Sequence, residues 1–102
     1  MSFGLPEKLI NAFNETFASY SEIEKVIIYG SRAKGNFRNG SDIDLTLVGE
    51  NITEDIKSKV WLDLDELNSP YLIDISILHS LKSESLLEHI QRIGKDLYHK
   101  KK

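Results

Sequence analysis

Two segments of the chain alternate between apolar and polar residues, and this pattern constrains the fold more than any other feature. In residues 42–48 the apolar residues are Ile43, Leu45 and Leu47, and residues 71–78 carry isoleucine at every second position from 73. Because successive side chains of a β-strand point to opposite faces, each segment predicts a strand with one apolar face. These faces need cover, which predicts that both strands belong to a sheet packed on helices.

The remaining segments supply the helices and a further buried strand. Apolar residues recur at helical spacing in three segments, and the run Val26-Ile27-Ile28-Tyr29, closed by Gly30, is typical of a buried strand. The predicted helices are residues 6–20, 53–68 and 83–94, and the predicted strands are residues 26–29, 42–48 and 71–78, with a final strand over 96–98 left open. This order predicts an α+β fold: a mixed β-sheet of three to five strands with helices packed on one face and the second face open.

Length and composition exclude several kinds of protein. With 102 residues, 40% of them hydrophobic, the chain has room for one core, so residues 1–102 are predicted to form a single domain that gains stability from a partner or from self-association into a homo-oligomer. A net charge of −3 argues against bulk nucleic-acid binding. Cysteine is absent and no apolar run suits a signal segment or a membrane span, which predicts a cytoplasmic protein whose metal ligands are oxygen or histidine atoms.

Three aspartates fall on the polar faces of the alternating segments. Asp42 and Asp44 are two residues apart, so their side chains point the same way with Cβ atoms about 6.5–7 Å apart, and Asp74 lies on the corresponding face of the later strand. Unpaired carboxylates repel one another, whereas hard cations such as Mg²⁺ bind carboxylate and phosphate oxygens. An Asp-x-Asp pair taken alone is more often solvated, and the flanking residues decide in favour of a metal site.

The loop after the first strand has the composition of a phosphate-binding turn. Gly30 lets backbone N–H groups approach phosphate oxygens, Ser31 adds a hydroxyl donor, and Arg32, Lys34 and Arg38 bring positive charge to an otherwise acidic chain. The loop lacks the Gly-Lys-Ser/Thr ending of a P-loop and the three-glycine spacing of a dinucleotide fold. Without the nearby carboxylates it would be an ordinary solvated turn with one short helical turn around residues 32–34.

The two motifs together resemble a known family. Gly30-Ser31-Arg32-Ala33-Lys34-Gly35 is followed, ten residues after its serine, by the Asp-Ile-Asp of Ser41-Asp42-Ile43-Asp44-Leu45, and a further aspartate, Asp74, lies on a later strand. This pattern is similar to the DNA polymerase β-like nucleotidyltransferase superfamily, in particular its minimal nucleotidyltransferase (MNT) antitoxin branch. The resemblance covers nearly the whole chain. It implies the nucleotidyltransferase fold and the transfer of a nucleoside monophosphate, AMP by preference, from an NTP to a hydroxyl group.

The resemblance also implies roles for single residues. Gly30 and Ser31 would hold the β- and γ-phosphates of ATP, and Asp42 and Asp44 would bind two Mg²⁺ ions, for which Mn²⁺ is an alternative. Asp74 would complete the metal site and help deprotonate the acceptor hydroxyl. With the neighbouring basic residues and the serine of the second motif, the predicted nucleotide-binding set is Gly30, Ser31, Arg32, Lys34 and Ser41.

A chain this short has no room for a large substrate-binding lobe, and the resemblance implies that a partner supplies it. The partner in this family branch is a small all-helical HEPN protein, often a ribonuclease toxin, which the MNT protein neutralises by forming a complex or by adenylylating a tyrosine. Two alternatives stay open: a non-catalytic antitoxin or binding module that inhibits the partner by contact, and a nucleotidyltransferase for a small molecule such as an aminoglycoside.

The histidines and two aromatic residues are interpreted as structural. His79, His89 and His99 are ten residues apart, which is not a metal-ligand spacing on one helix face, so they are interpreted as surface or capping residues. Trp61 and Tyr71 are interpreted as residues at the edge of the core. An exposed aromatic side chain at either position would instead mark a partner surface.

Overall fold

The computed structural model of the protein describes residues 3–38 and 40–101. The predicted helices and strands are confirmed, each to within a few residues at its ends, and the final strand is present. In chain order the elements are α1 (Glu7–Ala18), β1 (Lys25–Tyr29), α2 (Ser31–Lys34), β2 (Ile43–Val48), α3 (Glu54–Asp65), β3 (Ile73–Ile77), a 3₁₀ turn (Leu78–Ser80), α4 (Glu84–Ile93) and β4 (Lys95–His99). The short helical turn expected after Gly30 is α2.

The strands form one mixed sheet in the order β3-β2-β1-β4, which confirms the predicted sheet. β1 is antiparallel to both β2 and β4, whereas β2 and β3 are parallel. The register pairs Asp44 of β2 with Tyr29 of β1 on one side and with Asp74 of β3 on the other. Paired residues of neighbouring strands point to the same face, so this register places the two aspartates side by side.

The core lies between one face of the sheet and helices α1 and α3. Fully buried side chains come from the helices and from the apolar face of β2, including Phe13, Phe17, Val60, Leu64, Ile43, Leu45 and Leu47. Burial of one such side chain stabilises a fold by roughly 1.5–3 kcal/mol. Within the part of the chain that the structure describes, no helix is both long and apolar enough to cross a membrane.

Helix α4 lies over the opposite face of the sheet, the face that the sequence pattern predicted to be uncovered. The ring of His89 meets the ring of Tyr29 at a centroid distance of 6.1 Å, and a Cβ atom at Gly94 would overlap Ile27. Tyr29 and Ile27 alternate along β1 with residues that enter the core, so α4 covers β1 on the polar side of the sheet. The polar face therefore stays open mainly over β2 and β3.

A short hydrogen bond joins the turn after α1 to α3. The hydroxyl of Tyr20 donates to the carboxylate of Asp63 at 2.5 Å. The bond and the negative charge of Asp63 raise the pKa of Tyr20 from 10.0 to about 12, since a phenolate would lose the bond and be repelled. A group whose pKa is raised on folding stabilises the fold below its unfolded pKa and loses that effect as the pH rises to its folded pKa.

Tyr20→Phe is expected to lower the free energy of unfolding by about 1 kcal/mol at pH 7, less than the ~1.5–3 kcal/mol of a buried bond to a charged group because Tyr20 is partly exposed. Urea unfolding measures the difference, which should shrink to zero as the pH rises from 10.0 to about 12. Tyr98→Phe is the control, because it removes a hydroxyl and keeps the ring that packs on Phe17. Equal losses in the two variants would contradict a specific Tyr20–Asp63 contribution.

Candidate active site

Three carboxylates gather where β2 and β3 begin. Asp44 is the second residue of β2 and lies beside Asp74 of β3. Asp42, predicted to be the first residue of this strand, lies one residue before β2. Asp42 and Asp74 are exposed and Asp44 is partly buried. Burial raises the pKa of Asp44, and the negative charges of Asp74 and Asp42 raise it further. Asp42 and Asp74 are therefore both close enough to Asp44 to repel its charge.

The carboxylates provide part of a metal site rather than a complete one. Within residues 3–38 and 40–101, no three acidic or histidine side chains are already arranged as ligands of one ion. Mg²⁺ is commonly held by one or two carboxylates together with substrate phosphates and water. The donor chemistry of Asp42, Asp44 and Asp74 thus fits a hard cation that arrives with a polyphosphate.

The Gly30 turn lies directly against Asp44. Gly30 has φ +75° and ψ −154°, a backbone region that side chains make costly. A Cβ atom at this position would also overlap the carboxylate oxygen Oδ2 of Asp44. The backbone conformation therefore favours glycine, and an added side chain would also have to displace the Asp44 carboxylate.

Helix α2 continues from this turn and carries three of the predicted phosphate ligands, Ser31, Arg32 and Lys34. Ser31 is its first residue and is partly buried, whereas Lys34 is its last residue and is exposed. The helix ends at Gly35, whose φ of +89° is left-handed. Ser31 thus follows the glycine that touches Asp44, and the Lys34 ammonium has the freedom to reach a charged ligand.

Arg32, predicted from the sequence to bind phosphate, is instead packed inside the protein. Its side chain is only 3% exposed, and its guanidinium donates to the carbonyl oxygens of Ser41, at 3.2 and 2.9 Å, and Phe3, at 2.9 Å. The same group lies 5.1 Å from the ring centroid of Phe37 and 4.7 Å from that of Tyr71. Carbonyl and cation–π contacts of this kind compensate a buried cation. Arg32 therefore ties α2 to the loop before β2.

Ser41 is likewise engaged within that loop. Its hydroxyl accepts a hydrogen bond of 2.8 Å from the backbone N–H of Arg38, and its carbonyl accepts from Arg32. These bonds fix the backbone one residue before Asp42.

His89 reaches the site from α4, and sequence reasoning missed this placement. Its Nε2 atom accepts a hydrogen bond of 3.2 Å from the backbone N–H of Gly30. A phosphate oxygen that binds the Gly30 N–H must share or displace this contact. The apolar stripe that contains Ile90 predicted that α4 packs on the sheet. The sequence pattern does not show which face of the sheet that stripe covers, so the position of His89 could not be predicted. His79 and His99 are exposed, as interpreted from the sequence.

The Gly30-Ser31 turn abuts the strand that carries Asp44, and Asp74 lies on the parallel neighbouring strand. Residues 11–102 match the family model described as Polymerase beta, Nucleotidyltransferase. The chain belongs to this family and is a nucleotidyltransferase by fold. A comparison with curated proteins gives no significant match.

Solved structures with a similar fold include toxin–antitoxin complexes. A chain of a toxin–antitoxin complex with AMP-PNP has a TM-score of 0.68 and 21% identity, covering 94% of this chain and 75% of that one. A chain of the tri-AMPylated Shewanella oneidensis HEPN toxin in complex with MNT antitoxin has a TM-score of 0.66 and 18% identity. The match covers 92% of this chain and 72% of that one. A chain of the MntA-HepT toxin–antitoxin has a TM-score of 0.68 and 15% identity, covering 93% of this chain and 74% of that one. At these identities the similarity establishes the fold.

Gly30→Ala is expected to weaken MgATP binding by about tenfold or more, equivalent to ~1.4 kcal/mol, because the methyl group pushes the turn and Asp44 apart. Isothermal titration calorimetry measures the affinity. Gly35→Ala is the control for a methyl group at positive φ: Gly35 has φ +89°, in the left-handed region, and no heavy atom lies within 4 Å of the added carbon. Equal affinities in the two variants would show that contact between Gly30 and Asp44 does not organise the site.

Proposed function

We propose that the protein transfers AMP from ATP to a hydroxyl group, a tyrosine hydroxyl of a HEPN toxin, and so acts as the antitoxin in the cytoplasm. The observation that carries this proposal is the juxtaposition of the Gly30 turn with the Asp44–Asp74 pair. This arrangement supports a triphosphate site beside paired carboxylates. The similar structures support the choice of nucleotide and acceptor, since one contains AMP-PNP and another an AMPylated HEPN toxin beside an MNT antitoxin.

The carboxylates would hold divalent cations, with Mg²⁺ the expected ion and Mn²⁺ an alternative. Asp42, Asp44 and Asp74 supply oxygen ligands. Burial raises the pKa of Asp44, the charges of Asp74 and Asp42 raise it further, and a bound cation would relieve that repulsion. Such ions stabilise charge on the attacking and leaving oxygens of a phosphoryl group. The substrate phosphates would complete the ion coordination.

The remaining residues would bind and orient the nucleotide. The Gly30 N–H and the Ser31 hydroxyl would donate to β- and γ-phosphate oxygens, and Lys34, exposed at the end of α2, would add positive charge. The acceptor oxygen forms a bond to the α-phosphorus while the bond to the bridging oxygen breaks and pyrophosphate leaves. Asp74, exposed beside Asp44, would take the proton of the acceptor hydroxyl.

Incubation with ATP, Mg²⁺ and the HEPN protein is expected to add AMP to that protein, and Asp44→Asn is expected to reduce the rate by at least about a hundredfold, the order of effect of losing a charge-stabilising group. Intact-mass spectrometry measures the adduct. Asp96→Asn removes an equivalent charge from β4, where the side chain pairs with Lys25, and should leave the rate unchanged. No adduct with the unaltered chain would overturn the enzymatic proposal.

Neutralisation without chemistry is tested separately. If the Asp42→Asn/Asp44→Asn double variant still neutralises the toxin as strongly as the unaltered chain, contact alone accounts for inhibition. If the unaltered chain instead modifies a small alcohol such as an aminoglycoside and leaves the HEPN protein unmodified, the protein-acceptor proposal falls.

A further inference from the structure

We propose that the groove between α3 and the outer edge of β3 binds the acceptor: an extended segment from outside the helices of the partner protein, which pairs with β3 and presents its hydroxyl side chain to Asp74. This inference rests on the proposed transfer to a protein hydroxyl and adds where that acceptor docks. It also gives Trp61 a role beyond packing at the core edge.

The groove leads to the candidate active site. It has a volume of about 430 Å³ and is lined by Lys57, Ser58, Trp61 and Leu62 from α3 and by Ile73, Asp74 and Ile75 from β3. Asp74 thus belongs to both the groove and the carboxylate cluster. A ligand in the groove therefore contacts the residue whose carboxylate would take the acceptor proton.

The backbone of β3 offers hydrogen bonds along this groove. The carbonyl of Leu72 accepts from Ile43 and so faces β2, whereas the carbonyl of Ile73 accepts from the Trp61 indole at 3.3 Å and so faces outward. Alternation along a parallel strand then directs the N–H and C=O of Ile75 outward. No strand within residues 3–38 and 40–101 pairs with this edge, so an extended peptide would find free groups there.

The side chains along the β3 edge are apolar and accessible. Leu72 is 74% exposed, Leu62 is 55% exposed and Trp61 is 42% exposed. The opposite sheet edge, β4, instead carries exposed charged residues, Lys95 and Asp96, of the kind that protect an edge from pairing. An accessible apolar edge beside a catalytic carboxylate is typical of an interaction surface.

The shape and charge of the groove favour a polypeptide. Small-molecule sites are concave and enclose most of their ligand, whereas this groove is an open channel along a strand. Exposed Asp65 and Glu66 follow the groove residues on α3, which disfavours a nucleic-acid backbone.

The geometry of strand pairing aims the acceptor at the site. A segment paired with β3 would lie about 4.8 Å from it, and the residue opposite Asp74 would point to the same face of the sheet. The reacting groups would then lie in order across the sheet: the triphosphate beside Gly30, the carboxylates on β2 and β3, and the acceptor hydroxyl on the added strand.

Leu62→Glu tests the groove, with Leu67→Glu as its matched control because Leu67 is also exposed, at 37%, and does not line the groove. In the transfer assay with the HEPN protein, Leu62→Glu should raise the KM for the protein acceptor about tenfold or more while the Kd for MgATP stays unchanged. Leu67→Glu should change neither. An unchanged acceptor KM in Leu62→Glu would overturn the docking site and leave the proposed transfer intact.

Trp61 allows a measurement that does not depend on chemistry, because it is the chain's single tryptophan. In the inactive Asp44→Asn variant, a synthetic peptide that spans the acceptor tyrosine and lacks tryptophan should shift the Trp61 emission and saturate. The added Leu62→Glu change should weaken this binding about tenfold. If the peptide shifts the Trp61 emission but the unaltered chain adds no AMP to it, the proposed function is refuted and the groove is retained as a binding site. No shift with a peptide that the active chain modifies would refute the groove.

Discussion

The parallel pairing of β2 and β3 is the constraint on which the site depends. It places Asp44 beside Asp74, two like charges that an ordinary sheet would keep apart. Burial and this repulsion raise the pKa of Asp44, so the arrangement costs stability in the free protein and gains it when positive charge arrives. The Gly30 turn, which has no side chain to separate it from Asp44, belongs to the same arrangement.

Much of this arrangement follows from local sequence pattern. Alternation in residues 42–48 and 71–78 predicted both strands and the shared face of Asp44 and Asp74, because the period of two fixes side-chain direction within each strand. Gly30 was predicted to allow close approach to a phosphate, and the structure shows that it also allows close approach to Asp44.

Long-range contacts account for what the pattern could not predict. Periodicity shows which face of α4 is apolar but not which side of the sheet it covers, so the contact between His89 and Gly30, 59 residues apart, was missed. Arg32 looked like a phosphate ligand because its loop is rich in cations and glycine. Its aromatic neighbour Tyr71 and its carbonyl partner Phe3 are distant in the chain, and only the folded structure brings them around the guanidinium.

A crystal structure with AMP-PNP and Mg²⁺ tests the central claim most directly, because it locates the triphosphate relative to the two motifs. We expect β- and γ-phosphate oxygens within about 3 Å of the Gly30 N–H and the Ser31 hydroxyl, and metal density bound by Asp42 and Asp44. The His89 contact to Gly30 should be shared or lost. A triphosphate bound elsewhere, with the Gly30 turn and the carboxylates free of ligand at saturating nucleotide, would contradict the assignment of this site.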